Sequence, residues 1–225
     1  MSNTSKGKGE KGSKFWIQIL VNTGDGKVLS NEIKKLDSSI EDISWISPLE
    51  KDEYEEYKLN SSKIIDKLGI NKKDMDFWPQ NQPQWDAIGI VENCDKENNT
   101  IILVEAKAHV QEMNSACTAK DEKSIEIIEK AVRETWENLS AGNNFDREVW
   151  MEKYYQLGNR LAFLYKLKEK GYNVKLVLLN VVNDPTYKKN TEDEWMQHYK
   201  EVFGKMLGNT NTPEDVIIIN VEVNS

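Results

Sequence analysis

Residues 82–109 read QPQWDAIGIVENCDKENNTIILVEAKAH: two apolar, β-branched runs separated by a polar connection. Short runs of this kind, bounded by turn-forming residues, are strands, and the connection has the length of a hairpin. Asp86 then stands at the mouth of the first strand (86–92), with Glu105 and Lys107 near the end of the second (100–108). Side chains alternate along a strand, so Ile101, Leu103, Glu105, Lys107 and His109 share one face. That face passes abruptly from apolar to charged. A carboxylate and an ammonium just beyond a buried strand are costly unless they are paired or meet a metal ion. Antiparallel neighbours lie about 5 Å apart, which lets a single ion touch both Asp86 and Glu105.

The rest of the chain builds outward from this hairpin. Upstream, residues 15–21 (FWIQILV) read as a strand closed by the turn NTGDGK, and a helix is predicted over 30–36 with Ser30 as N-cap. The segment 48–59, PLEKDEYEEYKL, has Pro48 at a favoured first helical position and acids in its first turn, which predicts a helix. A shorter one over 61–68 stops at Gly69. Pro79 and Pro83 force an irregular approach to Asp86. Downstream come helices over 123–139 and 147–170, a strand over 175–182, a helix over 192–207 and a strand over 215–223. The run KLVLLNVV is nearly all apolar, as expected of a strand buried on both faces. Strands between long helices define an α/β domain, residues 15–225, with a mixed central sheet flanked by helices on both faces.

Composition narrows the partners. The net charge is -8, from 38 acidic and 30 basic residues, so no global positive field draws the chain onto nucleic acid, and any such surface must be local. Residues 1–14 run against this trend, with Lys6, Lys8, Lys11 and Lys14 in a Gly/Ser-rich setting that predicts a disordered basic tail. Two cysteines and two histidines supply neither a disulfide framework nor paired zinc ligands. No apolar run approaches the roughly 20 residues that cross a bilayer, and the N-terminus lacks a signal-like apolar segment. A cytoplasmic protein without a membrane partner is expected.

Acid-x-Lys triplets also occur at Asp25–Lys27, Glu32–Lys34, Glu56–Lys58 and Asp121–Lys123, but only Glu105 and Lys107 close an apolar strand. Two carboxylates and the Ala106 backbone carbonyl suit a hard cation, Mg²⁺ or Mn²⁺, which binds oxygen and acidifies a bound water. Lys107 is placed to orient that water and to offset charge developing on phosphorus. At about 4 Å and an effective dielectric of 20, two unit charges interact by roughly 4 kcal/mol. A purely structural Asp/Glu/Lys cluster at a sheet end satisfies the same pattern.

Asp86 followed by Glu105-x-Lys107 resembles the PD-(D/E)XK nuclease superfamily, the restriction-endonuclease-like fold. The ordered blocks SPLEKDEYEEY, FWP…PQWD, LVEAKAH and YQLGNRLA, spanning about residues 47–184, are similar to a group of uncharacterised bacterial proteins within it. Pro83, the motif's proline, is separated from the acid by Gln84 and Trp85. The resemblance implies Asp86 and Glu105 as metal ligands and Lys107 as the catalytic lysine. It also implies a further acid, for which Glu56 is the candidate and Glu53 and Glu55 are rivals.

Gln156, Asn159 and Arg160 gather on one face of a predicted helix, beside the stripe of Tyr154, Leu157, Leu161 and Leu164. The resemblance gives them a supporting role, with Gln156 orienting the nucleophile and Arg160 clamping a phosphate; a capping or interhelical network is the competing reading. His109 stands near the site, as does Glu112 if a helix starts there, and the histidine is equally readable as a hydrogen-bonded residue past a strand. Trp78 and Trp85 either stack on bases or pack in the core. The expected activity is metal-dependent hydrolysis of phosphodiesters in nucleic acid, with DNA as substrate. The alternatives are a non-catalytic nuclease-fold module for binding or assembly, and a hydrolase of small phosphoesters.

Overall fold

The computed structural model describes residues 6–93 and 99–223. Among these, five strands form one mixed sheet in the order β1 (Ile43–Ser47), β2 (Ala87–Val91), β3 (Thr100–Lys107), β4 (Asn173–Val182) and β5 (Val216–Glu222). The pairs β1–β2 and β2–β3 are antiparallel, and β3–β4 and β4–β5 are parallel. Parallel neighbours need crossovers. These are supplied by α4 (Glu122–Leu139) with α5 (Tyr155–Glu169), and by α6 (Glu192–Leu207). The helices α1 (Gly12–Asn22), α2 (Lys27–Leu36) and α3 (Ser62–Leu68) precede β2.

Alternation along the strands sorts the core into two layers. Ile88, Ile90, Ile101, Leu103, Leu176 and Leu178 pack with α3, α4, α5 and α6. Ala87, Val91, Ile102, Val104, Val177 and Leu179 face the opposite way and pack with α1 and α2. Helices therefore cover both faces, as the sequence predicts. The strands expected over 86–92, 100–108, 175–182 and 215–223 all form, with small shifts of boundary. Most of the predicted connection at 93–99 lies outside the described residues.

Several expectations are corrected. Residues 15–21 are helical, not extended, and belong to α1. Ile17, Leu20 and Val21 are buried against the sheet at the three- and four-residue spacing of a helix, hidden inside a run that looks uniformly apolar. The predicted helix over 48–59 is a single short turn, Glu50–Asp52, followed by Glu53 and Tyr54 in left-handed backbone, both at φ 57°. Tyr57 and Leu59, two residues apart, are both buried, and Tyr57 O accepts from Trp85 N at 3.0 Å. The segment is thus drawn out alongside the approach to β2.

The predicted long helix over 147–170 is divided. A wide turn over Glu148–Lys153 precedes α5, and Tyr154 interrupts the two with φ -123° and ψ 35°. Finally, residues 6–14 do not form a loose tail. Gly7 N donates to Glu53 O at 2.8 Å, Gly9 N donates to Gln18 Oε1 at 2.8 Å, and α1 begins at Gly12. Gln18, 3% exposed in the middle of α1, also donates to Gly7 O at 3.0 Å and ties the segment down. Residues 1–5 lie outside the described part of the expected tail.

The helix expected over 30–36 starts earlier, at Lys27, and Ser30 is internal to it. Gly26 caps α2 at φ 73°, and a Cβ there would fall 2.3 Å from the Trp45 ring, so only glycine fits. No helix among the described residues is long and apolar enough to cross a membrane.

Candidate functional site

The register of β2 against β3 pairs Ala87 with Val104 and Ile88 with Leu103, so the chain entering β2 runs beside the end of β3. Asp86 Oδ2 accepts a hydrogen bond from Ala106 N at 2.7 Å. Asp86 thereby replaces a strand partner at that amide and is fixed against β3. Ala106 thus contributes its N–H to the arrangement. Glu105 and Lys107 point to the α5 side of the sheet, the same side as Ile101 and Leu103.

Glu105 is 4% exposed and held from both ends. Its Oε1 accepts from Lys107 Nζ, and Nε and Nη2 of Arg160 each lie 2.6 Å from Oε2. Arg160, 2% exposed, also donates through Nη1 to Asn159 Oδ1 at 3.1 Å and through Nη2 to Gln84 O at 2.7 Å. Its guanidinium lies 4.3 Å from the Trp85 ring. Every side of this cation is engaged, so the predicted phosphate clamp is corrected: Arg160 positions Glu105. Asn159, 4% exposed, braces Arg160 in turn. Trp85 and Trp78 are buried and pack on Phe163, so the base-stacking reading of both gives way to packing.

The electrostatics follow from this crowding. Burial, then repulsion from Glu105, pushes the Asp86 carboxyl up to about 7, against the attraction of Lys107. Burial also acts to raise Glu105, but the charges of Arg160 and Lys107 outweigh it and hold that carboxyl below its ordinary value. Burial acts to lower Lys107, and the charges of Glu105 and Asp86 reverse this and raise it. Glu56 is raised, chiefly by burial, with Glu105 adding repulsion and Lys14 and Arg160 opposing it.

Glu56 also raises Asp86, so it belongs to the same cluster, although it sits on an irregular segment and not on a helix. The rivals are turned elsewhere: Glu53 pairs with Lys6 at 3.1 Å, and Glu55 pairs with Lys63 at 2.9 Å. Three acids, Asp86, Glu105 and Glu56, thus meet Lys107 and Arg160, with Lys14 acting on Glu56.

Beside Glu105 and Lys107 is a small cavity of about 10 Å³, lined also by Gln156, Leu157, Leu178 and Tyr199. That volume accommodates about one water. Gln156 therefore borders a space the size of one water, and its backbone N is anchored on Ser115 Oγ at 2.8 Å. His109 is buried past the strand end, with Nε2 3.3 Å from Glu112 Oε1, and its Nδ1 has no hydrogen-bond partner among the described residues. Glu112 Oε2 accepts from Ala108 N at 3.0 Å and so caps the strand.

Three participants escape the sequence reading. Asn180, opposite Lys107 in the β3–β4 register, is fully buried and accepts from Tyr199 Oη at 2.9 Å. Its signal is present in hindsight, as the one polar residue in LVLLNVV. Tyr199, raised by burial and by the Glu105 charge, lines the cavity from α6. Lys14 acts on Glu56 from α1.

Whether these residues suit a divalent cation is a question of donors. Among the described residues, no group of three or more His, Cys, Asp or Glu side chains lies close enough together to hold a metal ion. Two hard carboxylates are nevertheless adjacent. Asp86 spends Oδ2 on Ala106, and Glu105 Oε1 is held by the flexible amine of Lys107. A raised Asp86 beside the charge of Glu105 is what a dication would relieve. The donor chemistry fits, provided Lys107 withdraws from Oε1.

No known family matches the sequence, and comparison with curated proteins and with solved structures gives no significant match. The class defined by fold and site is therefore an α/β protein with a buried carboxylate–lysine cluster at the end of a mixed sheet.

Proposed function

We propose that the chain is a metal-dependent nuclease of the PD-(D/E)XK type that hydrolyses phosphodiester bonds, with DNA as its substrate. The observation that carries this reading is the convergence of Asp86, Glu105 and Lys107, tied by the Asp86–Ala106 hydrogen bond and the Glu105–Lys107 ion pair. The mixed sheet with helices on both faces is the architecture the resemblance implies.

Asp86 and Glu105 would hold Mg²⁺ or Mn²⁺ together with the Ala106 carbonyl, and the ion when bound supplies an acidified water and a Lewis acid for phosphorus. Lys107 carries a proton on Nζ and, released from Glu105, donates it as a hydrogen bond to the attacking water or to a non-bridging oxygen. Gln156 orients the water in the adjoining cavity, and Arg160 keeps Glu105 ionised and fixed. Glu56 adds negative charge toward Asp86, which strengthens cation binding.

A second reading, a non-catalytic nuclease-fold module for binding or assembly, is favoured by one observation: both Glu105 oxygens are already engaged beside a cavity of about 10 Å³. Incubating the protein with labelled single- and double-stranded DNA and RNA, with Mn²⁺ or with EDTA, separates the two. The nuclease reading requires cation-dependent cleavage; its absence on every substrate supports the module.

A further inference from the structure

We propose that Tyr187, Lys11 and Lys188 form a surface that binds a single-stranded nucleic acid and leads it past His109 to the end of β3. This deepens the phosphodiesterase reading and rests on it for its choice of ligand.

The surface is built on the loop after β4, residues 183–190, NDPTYKKN. Asp184, 1% exposed, anchors the loop: its Oδ1 accepts from Trp16 Nε1 at 2.9 Å, Thr186 N at 2.8 Å and Thr186 Oγ1 at 2.7 Å. Asn183 N closes the loop on Asn190 O at 2.9 Å, and Gly12 N at the start of α1 donates to Thr186 Oγ1 at 3.1 Å. This fixed frame presents Tyr187 to solvent at 48% exposure, unusual for a large side chain in this protein.

Two cations attend that ring. Lys11 Nζ lies 4.9 Å from its centroid and Lys188 Nζ 5.7 Å, and Lys188 also reaches Gln111 Oε1 at 3.0 Å. Exposed Lys189 follows in the chain. Both ammonium groups lie over the ring on flexible side chains, which an incoming base displaces toward its own phosphates, and with Lys189 they gather positive charge in a chain of net charge -8. Rings that stack bases beside ammonium groups that meet phosphates are the elements by which proteins hold unpaired strands. A duplex keeps its bases stacked inside and offers this ring nothing.

Continuity with the candidate site comes through His109, whose ring centroid lies 5.3 Å from that of Tyr187. His109 stands two residues beyond Lys107, where the chain bends after the end of β3. A strand stacked on Tyr187 is thereby led toward the Glu105–Lys107 end of β3, where Lys107 is the less buried of the pair.

The test is fluorescence anisotropy of a labelled twelve-nucleotide single strand and of the matching duplex, titrated with the full chain in EDTA, where cation-dependent cleavage is stopped. The single strand is expected to bind at least tenfold more tightly than the duplex. Tyr187→Ala should weaken it about tenfold, while Tyr187→Phe keeps wild-type affinity. Lys11→Gln should weaken binding and lower the salt dependence by about one counterion. Unchanged affinity in Tyr187→Ala, equal or tighter binding of the duplex, or no binding of the single strand would each overturn the proposal. Retained single-strand binding without cleavage in Mn²⁺ would instead count against the phosphodiesterase reading and leave the surface standing.

Discussion

Arg160 closes one side of Glu105: its Nε and Nη2 both lie 2.6 Å from Oε2, 55 residues away in sequence, while Lys107 holds the other oxygen. The carboxylate is thereby charged, buried and immobile. One oxygen is shared with a rigid cation that cannot leave, and the other with a flexible one that can. That asymmetry makes Oε1 the oxygen whose partner can be exchanged.

Removing the rigid partner leaves Glu105 buried with only Lys107. Arg160→Met should lower unfolding free energy by about 3–5 kcal/mol, the usual cost of breaking one half of a buried ion pair. Urea denaturation monitored by tryptophan fluorescence measures it. A loss below about 1 kcal/mol would show that Glu105 does not depend on Arg160.

Asp86 gives stability a pH dependence of definite sign. Its carboxyl is raised to about 7 in the folded chain from an ordinary value of 3.8. Between those two values the folded state holds a proton that the unfolded state has lost, so this group's contribution falls as pH rises from about 4 to 7. Asp86→Asn cannot ionise. In EDTA, its thermal midpoint relative to wild type should therefore be higher at pH 8 than at pH 5; parallel curves would contradict the raised value.

Glu56 and Glu53 lie three residues apart on one irregular segment, yet only Glu56 interacts with Asp86 and Glu105. Glu56→Gln should weaken Mn²⁺ binding severalfold by calorimetry. Glu53→Gln, whose partner is Lys6, should leave it unchanged. Equal effects of the two variants would remove Glu56 from the cluster.

Deleting residues 1–11 removes Gly7 and Gly9, which bond to Glu53 and to Gln18. Leaving Gln18 buried without those partners should cost about 1–3 kcal/mol and lower the melting midpoint by several degrees. A midpoint equal to that of the full chain would restore the reading of this segment as a free tail.

What the sequence disclosed divides along physical lines. The strands β2, β3 and β4 and the helices α3, α4 and α6 carry local signals, apolar runs and, for α3, the stop at Gly69, a left-handed cap. The end of β3 was legible because Glu105 and Lys107 interrupt a buried face. The helix α1 was not, since Ile17, Leu20 and Val21 are embedded among other apolar residues and the run reads equally well as a strand. Residues 48–59 carry genuine helix-start signals, which the pairing of Tyr57 with Trp85 overrides. The role of Arg160, and the presence of Asn180 and Tyr199 beside the cluster, depend on contacts between distant segments for which no local pattern exists.

The most direct measurement is cleavage of a labelled single-stranded DNA in Mn²⁺ by wild type and by Lys107→Ala, with melting midpoints taken on the same samples. The account predicts cation-dependent cleavage by wild type and a fall of at least about a hundredfold in the variant, which stays folded because Arg160 still holds Glu105. Equal cleavage by the two proteins, or none by wild type in any cation, would contradict it.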